Sequence, residues 1–167
     1  TKKPSEHRRD PDKSTIPVRL SDISSAEEVR LDTGIGEFNR VLGGGLVYGS
    51  VVLLGGEPGI GKSTLALQMA LNLPNEKVLY VSGEESNRQI KIRAERIGLS
   101  SENCLFLSET SLDAIFGQID KIRPSLIIID SVQTLHDESI DSSPGSISQV
   151  RECAVKLLRF AKESSTP

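Results

Sequence analysis

Residues 56–63 read Gly-Glu-Pro-Gly-Ile-Gly-Lys-Ser, and Thr64 follows, which is the pattern G-x-x-x-x-G-K-[ST]. An apolar run at 51–54 stands just before it and a helix-periodic run at 62–73 just after, so the motif belongs on a tight turn from a buried strand into a helix. The chemistry explains the spacing. Glycines reach backbone conformations closed to other residues and let main-chain N–H groups approach phosphate oxygens. The N-terminus of the helix adds its partial positive charge to the same anion site. Gly56, Glu57, Pro58, Gly59, Ile60, Gly61, Lys62, Ser63 and Thr64 are therefore the candidate nucleotide-binding residues. Lys62 is expected to bridge the β- and γ-phosphates, and the Ser63 hydroxyl to ligate Mg²⁺.

The rest of the chain alternates in the way such a motif requires. Helical spacing predicts helices over 34–42, 62–73, 86–97, 112–122 and 148–162, and short apolar runs predict strands over 51–54, 78–81, 104–107 and 126–129. Gly43, Gly44 and Gly45 stop the first helix, Pro74 closes the second, Gly98 caps the third and Pro124 ends the fourth. The inward faces are read as Phe38, Val41 and Leu42; Leu65, Leu67, Met69, Ala70 and Leu73; Ile90, Ala94 and Ile97; Leu112, Ile115, Phe116 and Ile119; and Val150, Ala154, Leu157, Leu158 and Ala161. Strands alternating with helices of this length predict an α/β fold, a mostly parallel sheet with helices on both faces. A strand is expected after the last helix, so the core reads as incomplete at its C-terminal end.

A second acidic element completes the phosphate chemistry. Leu126-Ile127-Ile128-Ile129 leads directly into Asp130, which puts a carboxylate at the carboxyl end of a buried strand, where open α/β sheets bind ligands. Asp130 is expected to hold Mg²⁺, mostly through water, because magnesium sheds its hydration shell reluctantly. Glu84 and Glu85 follow the second strand at the equivalent end. One of them can orient and activate an attacking water, and Glu84 is the favoured one. Lys62 and Glu84 are thus the candidate catalytic pair, and Ser63 and Asp130 the candidate metal ligands. His7 and His136 are assigned no chemistry.

Composition bounds the remaining possibilities. The 167 residues carry 20 Lys and Arg against 23 Asp and Glu, a formal charge of −3, which excludes a nucleic-acid binder held by bulk positive charge. No apolar run approaches the ~20 residues that span a bilayer, and the first residues lack the apolar core of a secretory signal, so a cytoplasmic protein without a membrane partner is expected. Cys104 and Cys153 form no C-x-x-C and are read as small buried hydrophobes. Residues 1–17 hold Pro4, Pro11 and Pro17 and more bases than acids, which predicts a disordered basic linker ahead of a core at 18–167.

Several longer stretches are more specific than the phosphate motif. VSGEES at 81–86, IIIDS at 127–131, PGSISQVRE at 144–152, RVLGGGLVYGS at 40–50 and QIKIRAERIG at 89–98 together resemble the ATPase core of the RadA (Sms) family, bacterial DNA-repair proteins related to RecA. Tyr48 departs from the proline usual there. The resemblance implies a RecA-like core binding ATP or ADP with Mg²⁺ between subunits of a hexameric ring. It further implies action on single-stranded DNA and recombination intermediates by branch migration, beside a RecA-type recombinase as partner. Glu84 matches the family's catalytic carboxylate. The family's four-cysteine zinc module would precede Thr1, and its KNRFG motif, final core strands and protease-like domain would follow Pro167. Residues 135–147 fall where RecA-like proteins carry a DNA-facing loop, yet they hold Asp137, Glu138 and Asp141 and no Lys or Arg, and Arg151 just beyond is a weak candidate contact. Two other functions fit the phosphate motif alone: a P-loop kinase acting on a small acceptor, and a non-catalytic module whose oligomerisation nucleotide controls. Against the kinase, no Arg-rich lid follows the site.

Overall fold

The computed structural model describes residues 19–22 and 29–167; the basic linker expected at 1–17 lies outside them. Two layers of helices enclose a three-stranded parallel sheet. Its strands are β3 (Val78–Ser82), β4 (Cys104–Ser108) and β5 (Leu126–Asp130), in the order β4-β3-β5. Ser82 stands in register with both Ser108 and Asp130, so the three carboxyl ends lie level. A separate antiparallel pair, β1 (Arg30–Leu31) and β2 (Leu46–Val47), flanks the short helix α1 (Gly36–Val41). The other helices are α2 (Lys62–Leu71), α3 (Asn87–Ile97), α4 (Leu112–Ile122) and α5 (Ile147–Ser164).

Central strand β3 is buried along its whole length and divides the core by side-chain alternation. Val78 and Tyr80 face α2 and α3, packing with Leu67, Ala70, Leu71 and Ile90. Leu79 and Val81 face α4 and α5, packing with Leu112, Ile115, Ile119 and Cys153. Each cluster gathers several fully buried aliphatic side chains, each worth about 2 kcal/mol or more on burial. Both cysteines are buried and free, as the sequence reading expected, and burial pushes the Cys104 thiol up to about 12.

Three readings need correction. The apolar run at 51–54 forms no strand: among the described residues it has no ladder partner, and Leu53 is 82% exposed. A strand needs a neighbour, and β5, an edge strand here, gives its Ile127 amide to the Pro167 carbonyl at 3.0 Å. The inward face of α5 is rotated from the expected stripe: Gln149, Cys153 and Ala161 are buried with Leu157 and Phe160 beside them, whereas Leu158 is 52% exposed. A buried glutamine carries no apolar signal. Val41, expected inward, is exposed at the end of α1. Gly98 does cap α3 in the left-handed conformation, with φ 74°.

Candidate functional site

Among the four longer helices the first turn sets α2 apart; the short α1 opens on Ile35, also without a side-chain cap. Helices α3, α4 and α5 open on Ser86, Ser111 and Ser146, whose hydroxyls accept first-turn N–H groups, and Ser86 forms a full capping box with Gln89. Helix α2 opens on Gly61, left-handed at φ 104°, with no side-chain cap. Among the described residues its leading N–H groups meet no side-chain cap, and they point into the turn formed by 56–61, the arrangement that receives an anion. Gly59, at φ 79°, takes a second left-handed position in that turn. Residues 51–61 are all exposed. The Lys62 ammonium folds back over the turn and donates to the carbonyls of Gly56 and Glu57, each at 2.8 Å.

Below the turn, α2 meets the end of β5. Ser63 Oγ donates to Asp130 Oδ1 at 2.9 Å, joining residues 67 positions apart in sequence. The other carboxylate oxygen, Oδ2, accepts from the Tyr80 hydroxyl at 2.7 Å. Tyr80 is 1% exposed on β3, and both burial and the Asp130 carboxylate push its phenol up, so it stays protonated and a donor. A hydroxyl and a carboxylate oxygen converging here form the hard oxygen donor set that suits Mg²⁺, which takes few protein ligands beside substrate phosphates and water. Among the described residues no cluster of three His, Cys, Asp or Glu offers an alternative metal cage.

The two adjacent glutamates part company. Glu85 is paired with the Arg93 guanidinium of α3, and its amide donates to Ser82 Oγ at 3.1 Å. Glu84 is exposed and accepts from Ser131 Oγ at 2.9 Å, which keeps it beside Asp130. Gly83 makes this turn possible. A Cβ there would lie 2.1 Å from Thr134 Oγ1 and 2.6 Å from Thr134 Cβ, so the turn and the segment after β5 touch through a bare backbone.

That segment is firmly braced. Gln149, 2% exposed, accepts from the Asp137 amide at 2.9 Å and donates to the carbonyls of Asp137, Ile140 and Ser142 at 3.1, 3.3 and 3.0 Å. His136 pairs by backbone with Thr110 and Leu112. The Asp137 side chain is fully buried; burial favours its neutral form, but the Lys156 ammonium and the Ser139 donors prevail and hold it at about 2.

The family model "ATPase: KaiC" matches residues 31–109. The DNA repair protein RadA of Bacillus subtilis is 49% identical over 153 residues, 90% of this chain and 33% of the relative. Its Escherichia coli counterpart is 52% identical over 145 residues, 86% of the chain and 32% of the relative, and that of Aquifex aeolicus is 48% identical over 154 residues, 92% and 35%. The chain belongs to the RadA family of RecA-like ATPases. It spans about a third of the length of the curated relatives it matches.

Within this RadA-family segment, Ser63, Asp130 and Glu84 lie together, Ser63 and Asp130 in direct contact and Glu84 through Ser131. Three neighbours were missed: Tyr80, Ser131 and Arg93. Tyr80 reads as one more apolar residue in a buried strand. Its one available signal was a hydroxyl in that run, which must find a buried acceptor. Arg151 is exposed at the start of α5, and among the described residues no helix is long and apolar enough to cross a membrane.

Proposed function

We propose that this chain is the ATP-binding and ATP-hydrolysing core of a DNA-repair protein that works on single-stranded DNA as a ring of like subunits. The observation that carries the nucleotide part is the meeting of Ser63 with Asp130 beneath the uncapped N-terminus of α2. In this reading the amides of 56–64 cradle the phosphates and Lys62 leaves the Gly56 and Glu57 carbonyls for the β- and γ-oxygens. Ser63 Oγ and Asp130 hold Mg²⁺, which, when bound, offsets the charge that builds on the transferring phosphoryl group. The Ser63 hydroxyl keeps its proton on Asp130 while its lone pairs stay free for the cation.

Glu84 is the proposed general base, supported by its position and freedom. Glu85 is already engaged by Arg93, whereas Glu84 need give up only the Ser131 hydroxyl to accept a proton from water. The DNA-repair part rests on the relatives and on the family resemblance. The exposed acids of the segment after β5 are Glu138 and Asp141, so phosphate contacts there would have to use backbone N–H groups or Arg151.

The test is phosphate release by the purified full-length protein with and without single-stranded DNA. Release should rise with DNA, and Glu84→Gln should lower it by about a hundredfold or more while ADP binding is kept. A phosphorylated small-molecule product in place of inorganic phosphate would overturn the hydrolase reading.

A further inference from the structure

We infer that Tyr80 is a positioning residue for the cation, acting through Asp130. Asp130 offers two carboxylate oxygens, and the structure gives them different tasks. Oδ1 faces the Ser63 hydroxyl on the phosphate side of the site, and Oδ2 is held by the Tyr80 phenol on the sheet side. Tyr80 sits in the central strand at 1% exposure, with its ring tilted against Phe106 at 5.7 Å between centroids. Its hydroxyl therefore has almost no freedom. Holding Oδ2 at 2.7 Å fixes the plane of the carboxylate, and Oδ1 stays turned toward Ser63.

The inference rests on the nucleotide reading above and adds a residue that no motif contains. A bare carboxylate at a strand end would sample several rotamers and would have to be ordered whenever the cation arrives. The phenol removes that cost in advance, as partners behind metal ligands commonly do. Glu85 and Arg93 lie within electrostatic reach of the same phenol, so the strand ends on a connected polar set.

The experiment compares ADP affinity with and without Mg²⁺ in this chain, for wild type, Tyr80→Phe and Asp130→Asn. Phenylalanine keeps the ring against Phe106 and removes only the hydroxyl. Tyr80→Phe should leave the Mg²⁺-free ADP affinity unchanged and reduce the Mg²⁺-dependent gain, with the Mg²⁺ midpoint rising by about tenfold or more. Adding Tyr80→Phe to Asp130→Asn should change nothing further. A Tyr80→Phe midpoint within twofold of wild type, with Asp130→Asn impaired, overturns this inference alone. An Asp130→Asn protein with a normal midpoint overturns the nucleotide-site reading beneath it. If Tyr80→Phe does not fold, the hydroxyl proton of Tyr80 in the wild type decides by NMR. It should shift with ADP plus Mg²⁺ and stay still with ADP alone; equal shifts would refute the role.

Discussion

Two loops flank the crevice at the carboxyl end of the sheet, and they are built in opposite ways. The phosphate loop, 51–61, is exposed throughout and is tied down chiefly by Lys62 reaching back to its own carbonyls. The loop after β5 wraps around a buried glutamine, and its aspartate is locked to Lys156. Among the described residues the first ends at a helix N-terminus that no side chain caps, an arrangement that receives an anion. The second is held by Gln149 and Lys156 of α5, so it serves as a fixed wall beside Glu84 and Asp130. A site of this kind needs both: one side that responds to ligand and one that does not.

Removing the brace should have the largest effect. Gln149→Ala would leave the Asp137 amide and three carbonyls without their partner in a buried setting, at a cost of about 3 kcal/mol or more. Urea unfolding should show that loss, and limited proteolysis should cut within 137–142. The Mg·ADP response should survive, because Asp130 is held by Ser63 and Tyr80 and not by Gln149. On the other side, Mg·ADP at about 100 times its Kd should stabilise the wild type by about 2.7 kcal/mol, roughly 5–10 °C in Tm. Lys62→Ala should abolish that shift at the same concentration. A full shift in Lys62→Ala would sink the phosphate-cradle reading.

A smaller effect is expected where the turn after β3 meets the loop after β5. Gly83→Ala would drive a methyl group into Thr134, costing about 2 kcal/mol as overpacking does. The displaced turn carries Glu84, so turnover in the full-length protein should fall more than nucleotide affinity. Equal losses of both would show that the turn positions more than the glutamate.

Much of this was legible in the sequence, for identifiable reasons. The helix α4 was read at 112–122 and found there, because its apolar spacing and the following proline agree. Two short motifs were expected to supply ligands to one cation, and the residues they name, Ser63 and Asp130, stand in hydrogen-bond contact. What escaped depends on partners distant in sequence. Residues 51–54 look like a buried strand by composition, but pairing is a property of the neighbour, and β5 does not accept them here. Gln149 and Tyr80 have roles set by groups 7 to 12 and 50 positions away, and no local pattern announces a buried amide or phenol that has found its acceptors.

The smallest predicted effect probes the ion pair in the braced loop. Asp137 is fully buried, which alone would raise its carboxyl above the ordinary 3.8, yet the Lys156 ammonium and the Ser139 donors hold it at about 2. A carboxylate depressed in the folded state binds its proton more readily when unfolded, so stability falls as the proton is supplied. The contribution is fully present above about pH 4 and is lost as pH drops toward about 2. Other depressed carboxylates, such as Asp32 and Glu109, add to the same slope, so the wild type alone cannot isolate the pair. Lys156→Met does. With the ammonium gone, only the Ser139 donors oppose burial and the Asp137 carboxyl moves up, so the variant should be less stable at neutral pH and lose less on acidification. Urea midpoints at pH 7, 4 and 2.5 for both proteins measure the difference. Parallel declines would mean that the pair does not anchor the loop, and the contrast with the phosphate loop would then rest on Gln149 alone.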